Sequence, residues 1–330
     1  MNIIQTINCG TDKSQLEKYF KILQELKIRH LRFNLCKYSE DVFTVIDNIF
    51  YAINNVFTGD VNLYFDLPYP RNKTRIIEYS IPDGQINKNQ FYNIYAKNSK
   101  SERLNDNEYI VMDIESFEKK NLTVGKVIYF GDGQGSFFVE EIANQLIVVR
   151  AITDFKIYYN KAITIGLKEM TLPDQMIEYI LGKFKVSVTF FLSFLENKQE
   201  LEILRAKYDS TYTFIPKIEY VKNKINLSEV IDSANGVMIA RGDLFLLNSF
   251  RNAIEYYDLI CDECTTNNKD IYVATDVMKS LVNRAFPSRA DIIDIVQAKK
   301  MGAAYIILSF SKLPVLIKTI NTVKEILESE

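Results

Sequence analysis

Over most of its length the chain alternates between short apolar runs and longer amphipathic segments, and this alternation restricts the fold more than any other feature. The apolar runs have the length of buried strands, and the segments after them repeat with helical periodicity. Strands separated by helices pair in parallel, and the helices cover the sheet that they form. The pattern therefore predicts an α/β fold built on a parallel sheet.

The alternation contains eight predicted strands, each with a helical segment after it. The strands are Ile3–Ile7, Leu31–Asn34, Val61–Leu67, Val186–Phe194, Thr213–Ile218, Gly236–Ala240, Ile271–Thr275 and Ala304–Leu308. The helices cover residues 12–27, 39–55, 172–183, 197–208, 226–233, 246–265, 290–301 and 313–329. Capping-box sequences at Thr171–Asp174 and Ser288–Asp291 mark two helix starts, and Gly302 suits the end of the second helix. Eight strand–helix units predict a TIM (β/α)8 barrel.

One stretch, about residues 74–165, interrupts this pattern between the third strand and its helix. Its apolar residues recur with period two in Lys126–Phe130 and Ser136–Glu140, on either side of a glycine-rich loop. No helix pattern follows that loop, so Asp132-Gly133 indicates a β-hairpin rather than a phosphate-binding loop. We therefore divide the chain into barrel residues 1–73, a small inserted β-domain at 74–165 that we expect to cap the barrel mouth, and barrel residues 166–330.

Composition and charge exclude several classes of function. The chain is 47% hydrophobic and 25% charged. Its net charge is −2 and it has no long run of Lys or Arg, whereas a nucleic-acid-binding protein usually has a basic patch. Its longest apolar stretch, Val186–Leu195, is about half of a membrane span, and the N-terminus lacks the pattern of a signal peptide. We expect a cytoplasmic protein that binds neither nucleic acid nor membranes.

Histidine and cysteine usage narrows the chemistry further. The single histidine, His30, lies at the start of a predicted strand, away from the end where barrel enzymes act, and we interpret it as structural. Without other histidines, catalysis would have to depend on Lys, Arg, Asp and Glu side chains. Cys261 and Cys264 have the spacing of a redox or metal pair, but they fall late in a helical pattern, so we interpret them as structural too.

Polar side chains cluster at the carboxyl ends of the predicted strands, which is where TIM barrels place their active sites. They are Arg32, Asn34, Asp66, Ser193, Lys217, Glu219, Arg241, Asp243, Thr275 and Ser309. Lys217 and Glu219 are two residues apart and share one face of a strand. Glu219 and Asp243 follow adjacent strands, so both carboxylates suit one hard cation such as Mg²⁺. With Lys217 and Arg32 nearby, that cation suits a phosphate, or an enolate next to a carboxylate.

Several segments resemble the pyruvate kinase family in order and spacing. The strongest are PKIE (216–219), NGVMIARGDL (235–244), IYVATDVMKSL (271–281) and FPSRADIIDIVQAKKMGAAYIILS (286–309), and the weaker ones are LRFN (31–34) and FDLPYP (65–70). The resemblance covers essentially the whole chain and is weakest through the insert. It implies a barrel split by a β-domain, and phosphoryl transfer between phosphoenolpyruvate and a nucleotide such as ADP.

For the metal and the substrate carboxylate, the resemblance implies a ligand set at the ends of the middle strands. Glu219 and Asp243 would hold Mg²⁺ or Mn²⁺. The backbone N–H groups of Gly242 and Asp243 would hold the carboxylate of phosphoenolpyruvate, and Arg241 and Ser193 are further substrate-binding candidates.

For the phosphoryl group and the enolate, the resemblance implies a set of catalytic side chains. Lys217 would stabilise charge on the transferring phosphoryl group and the enolate oxygen, and Thr275 would lie beside the carbon that is protonated. Arg32 would contact the phosphate. Lys73 matches the family's catalytic arginine best, although Arg75 lies near enough to take that place.

The monovalent-cation site of the family is only partly present. Asn34 and Asp66 match two of its four ligands, but Cys36 and Leu67 stand where the other two have oxygen atoms. Arg71 replaces a glutamate, and in K⁺-independent relatives a basic residue there takes the place of the ion. We therefore expect that K⁺ is not required.

The nucleotide side also departs from the family, at Cys9-Gly10, at Lys37 and at 309–312. No counterpart of the family's C-terminal effector domain follows the eighth barrel helix, so we expect a monomer or a homodimer. Three functions stay open: Mg²⁺-dependent phosphoryl transfer from phosphoenolpyruvate or a related enol phosphate, a metal-dependent lyase or aldolase acting on pyruvate-like acids, and a non-catalytic binding protein. We favour the first and rank the third last, because a non-catalytic relative has little reason to retain Lys217, Glu219, Arg241, Gly242, Asp243 and Thr275 together.

Overall fold

The computed structural model describes residues 1–8, 12–35, 42–67, 73–99, 108–117, 122–131, 133–159, 161–164, 174–195, 197–221 and 223–328. The chain forms two compact units. The first consists of Met1–Tyr69 and Leu172–Glu330, and the second is Pro70–Thr171.

The first unit is a closed barrel of parallel strands in the order β1-β17-β16-β15-β14-β13-β3-β2. Its strands are β1 (Asn2–Ile7), β2 (His30–Asn34), β3 (Asn62–Leu67), β13 (Ser187–Ser193), β14 (Thr213–Ile218), β15 (Gly236–Ala240), β16 (Asp270–Ala274) and β17 (Tyr305–Leu308), while β4 to β12 belong to the second unit. Each boundary lies within one residue of its predicted position. The predicted fold class, a TIM barrel with a β-domain inserted after the third strand, is confirmed.

The helices that follow these strands are α1 (Lys13–Glu25), α2 (Val42–Val56), α3 (Asp174–Lys183), α4 (Lys198–Lys207), α5 (Lys224–Ser233), α6 (Arg241–Leu247), α7 (Phe250–Thr266), α8 (Arg289–Lys300) and α9 (Leu313–Glu328). The predicted capping box at the start of α8 is confirmed, because Ser288 and Asp291 exchange side-chain and backbone hydrogen bonds. Gly302 follows α8 with a φ of +75°, the left-handed conformation that glycine adopts easily. Thr171 lies outside the described residues. Within the described part of the chain, no helix is both long and apolar enough to cross a bilayer.

Aromatic side chains cluster in the barrel interior, from the amino ends to the middle parts of the strands. The rings of Tyr272 and Tyr305 stack with their centroids 4.4 Å apart, and Tyr64 stacks on Phe191 at 5.6 Å. His30, the first residue of β2, shares a hydrogen bond of 2.8 Å between its Nδ1 and the Tyr64 hydroxyl. The predicted position of His30 at the start of a strand is therefore confirmed, and its ring belongs to this aromatic cluster.

The second unit is a closed barrel with the strand order β10-β6-β7-β4-β12-β8-β9, accompanied by a pair of short strands, β11 and β5. The bounds are β4 (Lys73–Tyr79), β5 (Gln85–Ile86), β6 (Phe91–Ala96), β7 (Tyr109–Met112), β8 (Val127–Phe130), β9 (Gly135–Ile142), β10 (Leu146–Ala151), β11 (Phe155–Lys156) and β12 (Ala162–Thr164). The predicted hairpin is confirmed, since β8 and β9 pair antiparallel and Phe130 lies opposite Gly135. Asp132, in its turn, lies outside the described residues.

The two cysteines of the CDEC sequence lie on α7, near its carboxyl end. Burial raises the pKa of the Cys264 thiol to about 12 and that of the Cys261 thiol to about 11. Both thiols therefore stay protonated at neutral pH, where a nucleophilic or metal-binding cysteine needs its thiolate.

Candidate active site

Lys217 joins the carboxyl ends of three neighbouring barrel strands. It is the fifth residue of β14, and its Nζ donates a hydrogen bond of 2.9 Å to the Ser193 hydroxyl at the end of β13. The same nitrogen lies 3.0 Å from a carboxylate oxygen of Glu219 and 3.4 Å from one of Asp66 on β3. The lysine side chain is only 10% exposed. A buried ammonium thus lies among two carboxylates and a hydroxyl at the end of the barrel where chemistry is expected.

Arg32 and Asp66 form a bidentate ion pair beside this lysine. The guanidinium donates from Nε to Oδ1 at 2.8 Å and from its terminal nitrogen to Oδ2 at 2.6 Å. It also donates to the Thr6 hydroxyl at 3.1 Å. Burial by itself would raise the pKa of Asp66, but the charges and hydrogen bonds of Arg32 and Lys217 outweigh burial and hold that pKa below its usual value. Asp66 is therefore ionised at neutral pH although it is fully buried.

Glu219 is held by the backbone as well as by Lys217. Its Oε2 accepts a hydrogen bond of 2.6 Å from the N–H of Phe194, the residue after β13. Phe194 has a φ of +57°, a backbone conformation that is unfavourable for residues other than glycine. The carbonyl of Glu219 accepts from the side-chain amide of Asn248, which also donates to Leu244 of α6. These contacts fix the glutamate between the ends of β13 and β14.

The short helix α6 begins directly where β15 ends, at Arg241. The N–H groups in the first turn of a helix have no partners within that helix and carry its positive dipole end. Gly242 in this turn lies close to Thr275. A Cβ on the glycine would be only 2.8 Å from the Thr275 methyl carbon. The carboxylate-binding segment predicted at Gly242 and Asp243 is therefore a helix start, and Thr275 is its immediate neighbour.

Arg241 bonds to groups of the protein through all of its guanidinium nitrogens. It donates to the carbonyl of Ala274 at 2.9 Å, to the carbonyl of Thr275 at 2.7 Å, and to both carboxylate oxygens of Asp294 on α8. The sequence prediction placed Arg241 at the substrate and did not include Asp294. The helical pattern around Asp294 does not indicate this role, because its partner Arg241 follows β15, a distant segment of the sequence.

The donor set at the ends of β14 and β15 fits Mg²⁺. Mg²⁺ usually takes one or two protein carboxylates and completes its shell with water and substrate oxygens. Glu219 and Asp243 supply two carboxylates, and β14 and β15 pair directly, with Ile218 opposite Ile239. Within the described ranges no group of three or more His, Cys, Asp and Glu side chains is placed to hold a metal.

For the remaining predicted site residues, the structure gives either a strand position alone or no description. Asn34 ends β2 and lies opposite Asp66 in the strand register. Lys73 and Arg75 belong to β4 in the second unit, and the side chain of Lys73 lies outside the described residues. Arg71 also lies outside them, as do Cys9, Gly10, Cys36 and Lys37.

Comparison with known proteins identifies the same family over both halves of the barrel. A family model described as "Pyruvate kinase, barrel domain" matches residues 1–312. The chain is 29% identical to pyruvate kinase of Thermoplasma acidophilum, over 62% of this chain and 39% of the relative. It is 26% identical to pyruvate kinase 2 of Candida glabrata, over 66% and 44%, and 25% identical to pyruvate kinase of Thermotoga maritima, over 76% and 53%. The chain thus spans about half the length of these relatives, or less.

Proposed function

The chain belongs to the pyruvate kinase family, and on that premise we propose that it catalyses Mg²⁺-dependent phosphoryl transfer between phosphoenolpyruvate, or a related enol phosphate, and a nucleotide or another acceptor. The observation that carries this proposal is the placement of the Lys217 ammonium, within 3.4 Å of Asp66, Glu219 and Ser193 at the carboxyl ends of the strands. A buried, oriented positive charge there suits a reaction in which negative charge develops on oxygen.

In the proposed reaction an acceptor oxygen attacks the phosphorus, and the bond from phosphorus to the enol oxygen breaks. The electron pair stays on the departing enolate, whose carbon then takes a proton to give pyruvate. Lys217 would face the enolate and phosphoryl oxygens, and the hydroxyl of Thr275 would lie beside the carbon that gains the proton. Mg²⁺ held by Glu219 and Asp243 would supply further positive charge at the same oxygens.

The first turn of α6 supports the proposed binding of the substrate carboxylate. Backbone N–H groups at a helix start, together with the dipole, favour an anion. The absence of a side chain at Gly242 lets Thr275, the first residue after β16, pack against this turn. The substrate carboxylate would then be fixed next to the proposed site of protonation.

The ion pairs around Asp66 support a reaction that does not require K⁺. Asp66 already faces two cationic side chains, Arg32 at 2.6 Å and Lys217 at 3.4 Å. Turnover should therefore be nearly the same when K⁺ is exchanged for Na⁺ at constant ionic strength. A strong activation by K⁺ would refute this part of the proposal.

The reaction class is tested by measuring pyruvate from phosphoenolpyruvate and Mg²⁺, with and without ADP or other phosphoryl acceptors. We expect pyruvate only when an acceptor is present, and none when Mg²⁺ and Mn²⁺ are removed. If no acceptor supports turnover while Mg²⁺ and oxalate still raise the melting temperature, a lyase or aldolase acting on pyruvate-like acids replaces this proposal. If neither Mg²⁺ nor oxalate binds, the chain is a non-catalytic relative.

A further inference from the structure

We propose that Arg241 and Asp294 act together as positioning residues that hold Thr275 in place for the proton-transfer step. This inference rests on the proposed function, since it assigns a task to Thr275 in that reaction. It moves Arg241 from substrate binding to the support of a neighbouring strand end, and it brings in Asp294 from a helix on the outside of the barrel.

Thr275 has a backbone conformation that its own chemistry disfavours. Its φ is +76°, in the region where the Cβ of an L-residue is crowded, and a β-branched side chain makes the crowding worse. Asp276 and Met278 also have positive φ values, 58° and 56°, so left-handed backbone recurs in the turn after β16. Strained residues of this kind persist only where surrounding contacts hold them, and they concentrate at functional sites.

Arg241 supplies such contacts from the neighbouring strand end. Its Nε and one terminal nitrogen donate to the carbonyls of Ala274 and Thr275, at 2.9 and 2.7 Å. These are the last residue of β16 and the first residue after it, so the two bonds span the point where the backbone leaves the strand. A planar guanidinium fixes both carbonyls in one geometry, which a lysine could not do.

Asp294 in turn fixes the guanidinium. Both of its carboxylate oxygens accept hydrogen bonds from Arg241, the bidentate arrangement that gives the strongest geometric restraint. Asp294 lies one turn along α8 from Asp291, whose carboxylate completes the capping box with Ser288 and accepts from Ser280 in the segment after Thr275. The start of α8 is thus tied to this part of the barrel at two points, through the Arg241 pair and through the bond from Ser280 to Asp291.

Gly242 lies beside the side chain of Thr275. A Cβ at residue 242 would come within 2.8 Å of the Thr275 methyl carbon and 3.6 Å of its hydroxyl oxygen. The absent side chain at residue 242 therefore leaves room for the Thr275 side chain, while Arg241 holds the Thr275 carbonyl.

The test is a double-mutant cycle on turnover. We expect Asp294→Asn, which keeps the shape of the side chain, to lower kcat about 10- to 100-fold and to change the KM for phosphoenolpyruvate by less than about threefold, since small displacements of a reacting group have effects of this size. In a Thr275→Ala background the same change should lower kcat by less than about twofold, because the group being positioned is already gone. Arg241→Lys should behave like Asp294→Asn, whereas Asp294→Glu should restore part of kcat.

The matched control is Glu255→Gln, which removes a carboxylate from an exposed ion pair with Lys224 on the neighbouring helices. Its kcat and KM should equal those of the wild type. The proposal is overturned if Asp294→Asn and Arg241→Lys turn over like the wild type, or if they lower kcat equally with and without Thr275.

A structural measurement separates this inference from the proposed function. If the wild-type chain does not act on phosphoenolpyruvate at all, the proposed function fails, but crystal structures of Asp294→Asn and Arg241→Lys still decide the inference. Loss of the positive φ at Thr275 in either variant supports a positioning role. An unchanged turn in both variants shows that Arg241 and Asp294 do not hold it.

Discussion

The two ends of the barrel interior bury polar side chains in opposite ways. At the carboxyl end, Lys217 and Arg32 form ion pairs with Asp66 and Glu219, and each of these side chains is at most 14% exposed. At the amino end, uncharged tyrosines stack on one another, and one of them shares a hydrogen bond with His30. The same strands connect both clusters, since β3 contributes Tyr64, its third residue, and Asp66, its fifth.

The difference separates what stabilises the fold from what performs the proposed chemistry. Aromatic packing removes a large apolar area from water and contributes directly to stability. Buried ion pairs contribute little net stability, because removing two charges from water costs about as much as their attraction returns. A cluster of four charged side chains is therefore poorly explained by folding alone, and the amino end contains no such cluster among the described residues.

The largest effect is expected at the ionic end. Asp66→Asn leaves the charges of Arg32 and Lys217 without their shared carboxylate, so we expect the free energy of unfolding to fall by about 3–5 kcal/mol. Urea denaturation measures this free energy of unfolding. The same substitution at Asp47, which pairs with Lys183 at the surface, should change stability by less than about 1 kcal/mol. Equal losses in the two variants would show that burial adds nothing to the Asp66 pairing.

Gly242→Ala, also at the carboxyl end, should cause the next largest loss in the free energy of unfolding. The new methyl group meets the Thr275 side chain at 2.8 Å, an overpacked contact that we expect to cost about 1–3 kcal/mol. Gly182→Ala is the matched control, because a Cβ there has open space and lies within α3. That control should raise stability by about 0.5–1 kcal/mol. A destabilised Gly182→Ala, or a neutral Gly242→Ala, would contradict the reason given for the glycine.

The aromatic end should respond more weakly to loss of a polar atom. Tyr64→Phe removes the hydroxyl that shares a hydrogen bond with His30 but keeps the ring stacked on Phe191. We expect a loss of about 0.5–1.5 kcal/mol in the free energy of unfolding. A loss as large as that of Asp66→Asn would remove the distinction between the two ends.

The smallest effect is a pH dependence that differs between the two ends. Burial lowers the pKa of His30 below its ordinary 6.5, so the unfolded chain binds this proton more readily than the folded one. The stability that neutral His30 provides is present above pH 6.5 and is lost as the pH falls through the lowered value. His30→Gln should flatten the stability curve in this window. For Asp66, whose pKa is below its ordinary 3.8, the loss should begin only at more acidic pH. An unchanged slope in His30→Gln would show that the buried His30 does not cause this loss of stability.

The fold was largely predictable from sequence because it depends on local periodicity. The strands alternate with helices throughout the barrel, and each strand boundary lies within one residue of its prediction. The exception is α6, Arg241–Leu247, which was not predicted. It is short, it has a glycine in its first turn, and its N-cap Ala240 makes no side-chain cap, so it lacks the signals that mark a helix start.

The site was predictable only as a set of strand ends. Their order along the sequence brought Lys217, Glu219 and Asp66 to one end of the barrel, and the structure confirms that they meet. Side-chain pairing could not be predicted in the same way. The bonds from Arg32 to Asp66 and from Arg241 to Asp294 depend on geometry between distant segments, which no local pattern encodes.

Lys217→Met shows whether turnover depends on the positive charge of Lys217. The measurement is steady-state pyruvate formation from phosphoenolpyruvate, Mg²⁺ and ADP, or the best acceptor found, compared with wild type and with Lys185→Met, an exposed lysine. Loss of one preorganised charge should lower kcat by about 100-fold or more. Lys185→Met should turn over like the wild type. A Lys217→Met variant that folds and retains a near wild-type rate would show that turnover does not depend on this charge.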